Sequence, residues 1–247
     1  MHNLGAWQFR GGFCQIISIT LLNAELFFLD FFFKWWLDSV VDALNHTGVT
    51  APLLYKKGYT TLLMAASHTR EFPYPYGSHP LIDNSIRFAG ISVRHDQEQY
   101  DRCQKIELIT SASYHFGQPI PHVRVCWKTK DGTNCLSCEK CLRTLNNILV
   151  TGNNPVNYGL IIEAADVMKR TKEFLERDPL QDNKLFWEWN VIKKRAASYT
   201  APDQKLNDYF MWLASVKLDN QHYETIHTED IRKDYFTWLW TTSSKKS

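Results

Sequence analysis

"VCWKTKDGTNCLSCEKCLRT", Val125–Thr144, decides how this chain is read. Four of its six cysteines fall here, spaced Cys126-x8-Cys135-x2-Cys138-x2-Cys141. Four thiolates can surround Zn²⁺ tetrahedrally and leave no coordination position open, which makes such a site structural rather than catalytic. The free energy of metal binding then adds to that of folding. Asp131, Gly132 and Asn134 supply the turn chemistry that brings Cys126 back to the other three. Glu139 and Lys140 open a helix whose backbone N–H groups can donate to the sulfurs.

Two other uses of clustered cysteines fit less well. Iron–sulfur proteins also carry C-x2-C-x2-C, but their fourth cysteine is usually remote and followed by proline. Here it lies eight residues away and is followed by Trp127. A redox dithiol needs only a pair of sulfurs. The reading is therefore a four-cysteine zinc knuckle with Cys126, Cys135, Cys138 and Cys141 as ligands. Cys14 and Cys103 stand apart and read as ordinary buried thiols.

The rest of the composition fits that reading. A chain of 247 residues with 44% hydrophobic and 22% charged residues is expected to form a globular core. Its formal charge of +2 calls for no nucleic-acid or membrane partner. One tight cysteine group, rather than a spread disulfide framework, points to a reducing compartment, and a cytoplasmic location is expected. The segment "FCQIISITLLNAELFFLDFFFKWW" (13–36) is strongly apolar, but Gln15, Asn23, Glu25, Asp30 and Lys34 interrupt it. No membrane span and no signal peptide is expected from it.

Outward from the cysteines, the chain divides into an atypical N-terminal helical segment (1–56), an α/β core (57–152) and a helical C-terminal region (153–247). A helix is expected over 25–45, where Asp30, Lys34, Asp38 and Asp42 recur every four residues. "TLLMAAS" (61–67) reads as a buried strand and "GISVRHD" (90–96) as a second strand with alternating Ile91, Val93 and His95. Between them, "HTREFPYPYGSHPLIDNS" reads as loop throughout, being rich in Pro, Gly and Asn. Residues 98–112 read as a helix, "HVRVCWK" (122–128) as a third extended piece, and 139–152 as a helix closed by Gly152 and Pro155. Further helices are expected over 158–178, 180–197, 203–216 and 228–241. The aromatic runs "FWEW" and "YFTWLW" lie on helix faces that must bury, in a core or between copies of the chain. Strand–helix alternation followed by helices defines an α/β class with a helical extension.

Polar residues gather after the two strands. Ser78, His79, Asp83, His95 and Asp96 lie in loops that follow them, where ligands of open α/β sheets bind. Either histidine can serve acid–base chemistry near neutral pH. Arg102 and Lys105 stand three apart on the next helix and share a face, so they can neutralise phosphate or carboxylate. Arg143 follows the last cysteine, and can face that crevice or pair with Glu139 four residues before it.

These stretches together resemble a known family. The C-x8-C-x2-C-x2-C arrangement with Arg143 just beyond it is similar to the zinc knuckle of 7-cyano-7-deazaguanine synthase. That enzyme is a PP-loop ATPase of the adenine-nucleotide alpha-hydrolase-like fold. A nearer similarity is to bacterial relatives carrying "GSHPLLD", "HDG…R…K" and "VCW…NCGRCEKCLRT". The matching stretches here are "GSHPLID" (77–83), "RHDQEQYDRCQK" (94–105) and Val125–Thr144, within about residues 58–152. The resemblance implies a parallel HUP-type sheet, partial or truncated. It implies a small-molecule substrate site built from Ser78, His79, Asp83, His95, Asp96, Arg102, Lys105 and Arg143. It also implies use of ATP with Mg²⁺ to adenylate a carboxylate for attack by a nitrogen nucleophile. The SGG-x-D-S loop that holds ATP phosphates in that family is missing, and the glycines of "FRGGFC" (9–14) do not replace it. A degenerate or truncated enzyme is therefore expected, and the alternative is a non-catalytic zinc-stabilised binding or assembly module.

Overall fold

The structure, a computed structural model, describes residues 42–72, 77–177, 180 and 183–218. The helix expected at 25–45 falls outside this range up to residue 41. The helix expected at 228–241, Cys14 and the paired glycines of 9–14 also lie outside it. Helix α1 (Asp42–Lys57) continues past the expected end at residue 45 and contains Pro52. It stops at Gly58, whose φ of +71° suits the left-handed turn there, and Tyr59 N–H reaches back to the Leu54 carbonyl.

Among the described residues the sheet has three strands in the order β1-β3-β2. Strand β1 (Thr61–Ala65) runs parallel to β3 (Ile91–Asp96), while β2 (Arg87–Phe88) pairs antiparallel with β3. The sheet is thus mixed, where a parallel one was expected. The hairpin behind β2 turns through Ala89 and Gly90, both with positive φ. Register places Ala65 opposite Asp96 at the carboxyl ends of the parallel pair. The alternation read in β3 holds: Ile91 and Val93 are each 2% exposed. Strand β1 is not the buried strand expected. Among the described strands it lies at the sheet edge, and Leu63 is 41% exposed.

The loop reading of residues 68–85 also needs correction, because α2 (Pro80–Asp83) forms inside it. Pro80 presets the helical φ at the first position, and His79 Nδ1 accepts the Leu81 N–H as a cap. Helix α3 (Arg102–His115) starts at a capping box in which Asp101 and Gln104 satisfy each other's backbone N–H. The segment 122–128 does not join the sheet. Its Val123 N–H bonds instead to the Tyr158 carbonyl, in the 3₁₀ turn Pro155–Tyr158.

Helices α4 (Glu139–Leu149), α5 (Ala164–Arg177), α6 (Asn183–Ser198) and α7 (Gln204–Ser215) pack together with α3. Their shared core includes Ile106, Leu145, Ile148, Val167, Trp189, Ile192 and Leu213. Nearly every residue of α4 from Cys141 to Leu149 is buried, so this helix is the axis of the helical layer. A polar link crosses that core. Asn146 donates to Thr171 Oγ1 at 2.8 Å and accepts from Tyr209 Oη at 2.6 Å. No helix among the described residues is long and apolar enough to cross a membrane.

Candidate functional site

The cysteine loop is built by side chains that hold its backbone. Asn134 Oδ1 accepts from the N–H groups of Val125 at 3.0 Å and Cys126 at 3.1 Å, and its Nδ2 donates to the Val123 carbonyl at 2.8 Å. Asp131 Oδ1 accepts from both the backbone and hydroxyl of Thr133. Gly132, with φ +85°, makes the turn between them. Arg170 reaches from α5 to the Leu136 carbonyl and anchors the far side.

These contacts bring the four cysteine sulfurs within 4.8 Å of one another. Cys126 and Cys138 are 4.0 Å apart, and Cys135 and Cys141 are 3.9 Å apart. Such spacings are nearly twice a disulfide bond, and close to the edge of about 3.8 Å expected for a tetrahedron with metal–sulfur bonds of about 2.3 Å. The Lys128 N–H points at Cys126 Sγ and the Cys138 N–H at Cys135 Sγ, both at 3.3 Å. Donors aimed at sulfur favour thiolates. The set can therefore hold a metal ion such as zinc, and the donor chemistry suits one.

The predicted loop residues assemble into two groups. In the first, Asp83 is fully buried at the end of α2. Ser78 Oγ donates to its Oδ2 at 2.8 Å, and His95 Nδ1 lies 2.6 Å from the same oxygen. The His79 N–H approaches Oδ1 at 3.3 Å. His95 enters from β3, where its own N–H is held by Asn84 Oδ1. Burial, and then the neighbouring His95 ring, lower the His79 pKa to about 4.

The second group gathers at the carboxyl end of β1. Arg102 Nε meets both oxygens of Glu188, from α6, at 2.9 Å. Arg143 pairs with Glu139 at 3.0 Å, as its spacing allowed, and also approaches Glu188 at 3.5 Å. Trp189 Nε1 donates to Glu139, and Lys105 Nζ donates to the Ala66 carbonyl at 2.7 Å. His68 sits among these cations. Burial first, then Lys184, Arg102, Arg143 and Lys105, hold its pKa well below the ordinary histidine value. The Lys105 pKa is likewise lowered, by burial and then by Arg102. Asp96 joins neither hydrogen-bonded group. Its carbonyl accepts the Ala66 N–H, and its charge opposes the lowering at Lys105.

Sequence reasoning missed Glu188, His68 and Trp189. Only Glu188 left a signal, as the one carboxylate inside the aromatic run "FWEW". A charge on a face that must bury needs a partner of opposite sign. Comparison of the chain with protein-family models, with curated proteins and with solved structures returned no match.

Proposed function

We propose that the chain is a zinc-stapled ligand-binding protein of the deazaguanine-synthase-like class, with a small anionic substrate received beside the knuckle. The supporting observation is the convergence of Arg102, Lys105 and Arg143 near the carboxyl end of β1, next to the helix that carries Cys141. Arg102 commits Nε to Glu188 and is 39% exposed, so its terminal amino groups can meet solvent-borne carboxylate or phosphate. Zinc held by the four cysteines has no open position and supplies no chemistry; it fixes the start of α4 and with it Arg143. In this reading His79 and His95, with Asp83 and Ser78, form the second wall of the substrate site. The chemistry implied by the resemblance is ATP-dependent activation of a carboxylate for a nitrogen nucleophile.

Isothermal calorimetry with Mg–ATP, together with a pyrophosphate-release assay, decides the reaction. Binding with pyrophosphate release supports the ligase chemistry. ATP that does not bind, with a small carboxylate or phosphate that does, reduces the proposal to a binding module. That second reading is favoured by Glu188, which already engages both arginines. An Arg102→Ala variant that binds every tested anion as well as the parent would remove the proposed site. Elemental analysis is expected to give about one zinc per chain, and an iron-containing protein would refute the assignment.

A further inference from the structure

The metal loop presents a second surface, which adjoins the arginine–glutamate network through Lys140. Trp127 is 68% exposed at its tip. Lys140 Nζ stands 3.5 Å from the ring centroid and covers one face, leaving the other to solvent. Arg124, Lys128 and Lys130 are exposed on the same loop. The one carboxylate among them, Asp131, accepts from Thr133 and also attracts Arg124, so it offsets one of the three cationic charges. Arg124 is steadied by a bond from Nη2 to the Thr129 carbonyl at 3.1 Å. The overall charge of +2 conceals this local excess of cations.

We propose that the loop from Arg124 to Asn134 is a contact for single-stranded nucleic acid, with Trp127 stacking on a base and Arg124, Lys128 and Lys130 meeting phosphates. The pattern is the one such sites require: an aromatic face for any base, interleaved with cations for the backbone. A duplex hides its base faces, so it offers Trp127 nothing. A protein partner would call for an apolar surround, whereas the exposed residues near Trp127 along the loop are Arg124, Lys128 and Lys130. The loop is preorganised by Asn134 and by the cysteine set, so binding orders little of it. The residues invoked, Arg124, Trp127, Lys128 and Lys130, are different from those of the ligand site proposed above, although Lys140 lies between the two groups.

The test is fluorescence anisotropy of the zinc-loaded full chain with a labelled oligothymidine of about twelve nucleotides, near the usual site size of such proteins. The expected slope of log K against log salt is about −2, from three phosphate contacts at about 0.7 each. Trp127→Ala is expected to weaken binding about fivefold or more, and Trp127→Phe to retain most of it. Lys128→Ala with Lys130→Ala should bring the slope to about −0.7. The residues changed are exposed, so zinc content and helicity should stay as in the parent, and both are measured. Absence of binding at low salt overturns the proposal. So does equal affinity for poly-aspartate or duplex DNA, or binding that Trp127→Ala leaves unchanged, since either describes a general polyanion surface.

Discussion

Asp83 gathers three contacts on two oxygens, from Ser78, His79 and His95. Because the carboxylate is fully buried, its removal strands the hydroxyl and the imidazole that now face it. Asp83→Ala is expected to lower stability by about 3–5 kcal/mol, read from urea unfolding, as for other broken buried pairs. A loss under about 1 kcal/mol would mean the group relaxes onto water. Histidine charge acts at the same scale. Both His79 and His68 have pKa values below the unfolded value near 6.5, so the unfolded state binds more protons below that pH. Stability is therefore fully present above about pH 6.5 and is lost as the pH falls, for His79 down to about 4. The slope is at most about 1.4 kcal/mol per pH unit for each histidine. Denaturation midpoints measured between these pH values should show it, and His79→Asn, which keeps a cap acceptor, should flatten the profile. Around His79 the charges that compete are Asp83, Glu98 and His95; around His68 they are Arg102, Lys105, Arg143 and Lys184.

Among elements, the knuckle and α4 form one unit, because Cys138 sits at the N-cap position and Cys141 lies in the first turn. Cys138→Ser in the reduced, zinc-loaded chain is expected to cost several kcal/mol, roughly a third of a structural zinc site's binding energy of about 10–16 kcal/mol. Thermal unfolding with and without chelator measures it; a chelator that leaves the parent's transition unmoved would show the metal is not part of the fold. The elements also show what the sequence makes legible. Cys126, Cys135, Cys138 and Cys141 could be read from spacing, because a metal site writes its geometry into short intervals. Strand β3 could be read because its Ile91 and Val93 alternate. Helix α2 could not, since one turn inside a Pro-rich loop has no periodicity to reveal it. The edge exposure of β1 escaped for a related reason: an apolar run does not tell which of its faces a neighbour will cover.

Over the whole molecule, the core runs from Cys103 to Leu213 and joins the helix after β3 to α4 and the C-terminal helices. Trp189 stands at its centre, fully buried, stacked on Phe174 and bonded to Glu139. Trp189→Ala is expected to cost about 3–5 kcal/mol and to lower one cooperative transition rather than split it. Two transitions in calorimetry would show that the regions before and after residue 152 unfold apart. Long-range partners such as Arg102 with Glu188, separated by 86 positions, are the part that no local pattern discloses. The candidate cations were legible as a shared helix face, but the carboxylate that meets them depends on how α6 docks.

The spacing of the cysteine sulfurs carries a practical consequence. Pairs at 3.9 and 4.0 Å need only a short approach to reach the about 2.05 Å of a disulfide once no metal keeps them apart. Four thiols can oxidise in three pairings, each freezing the loop in a different register. If the set holds zinc, loss of the metal in air is expected to be a one-way door, with recovery only when reductant and fresh zinc are supplied together. Material prepared with chelators and material prepared without them would then be two different substances carrying one sequence.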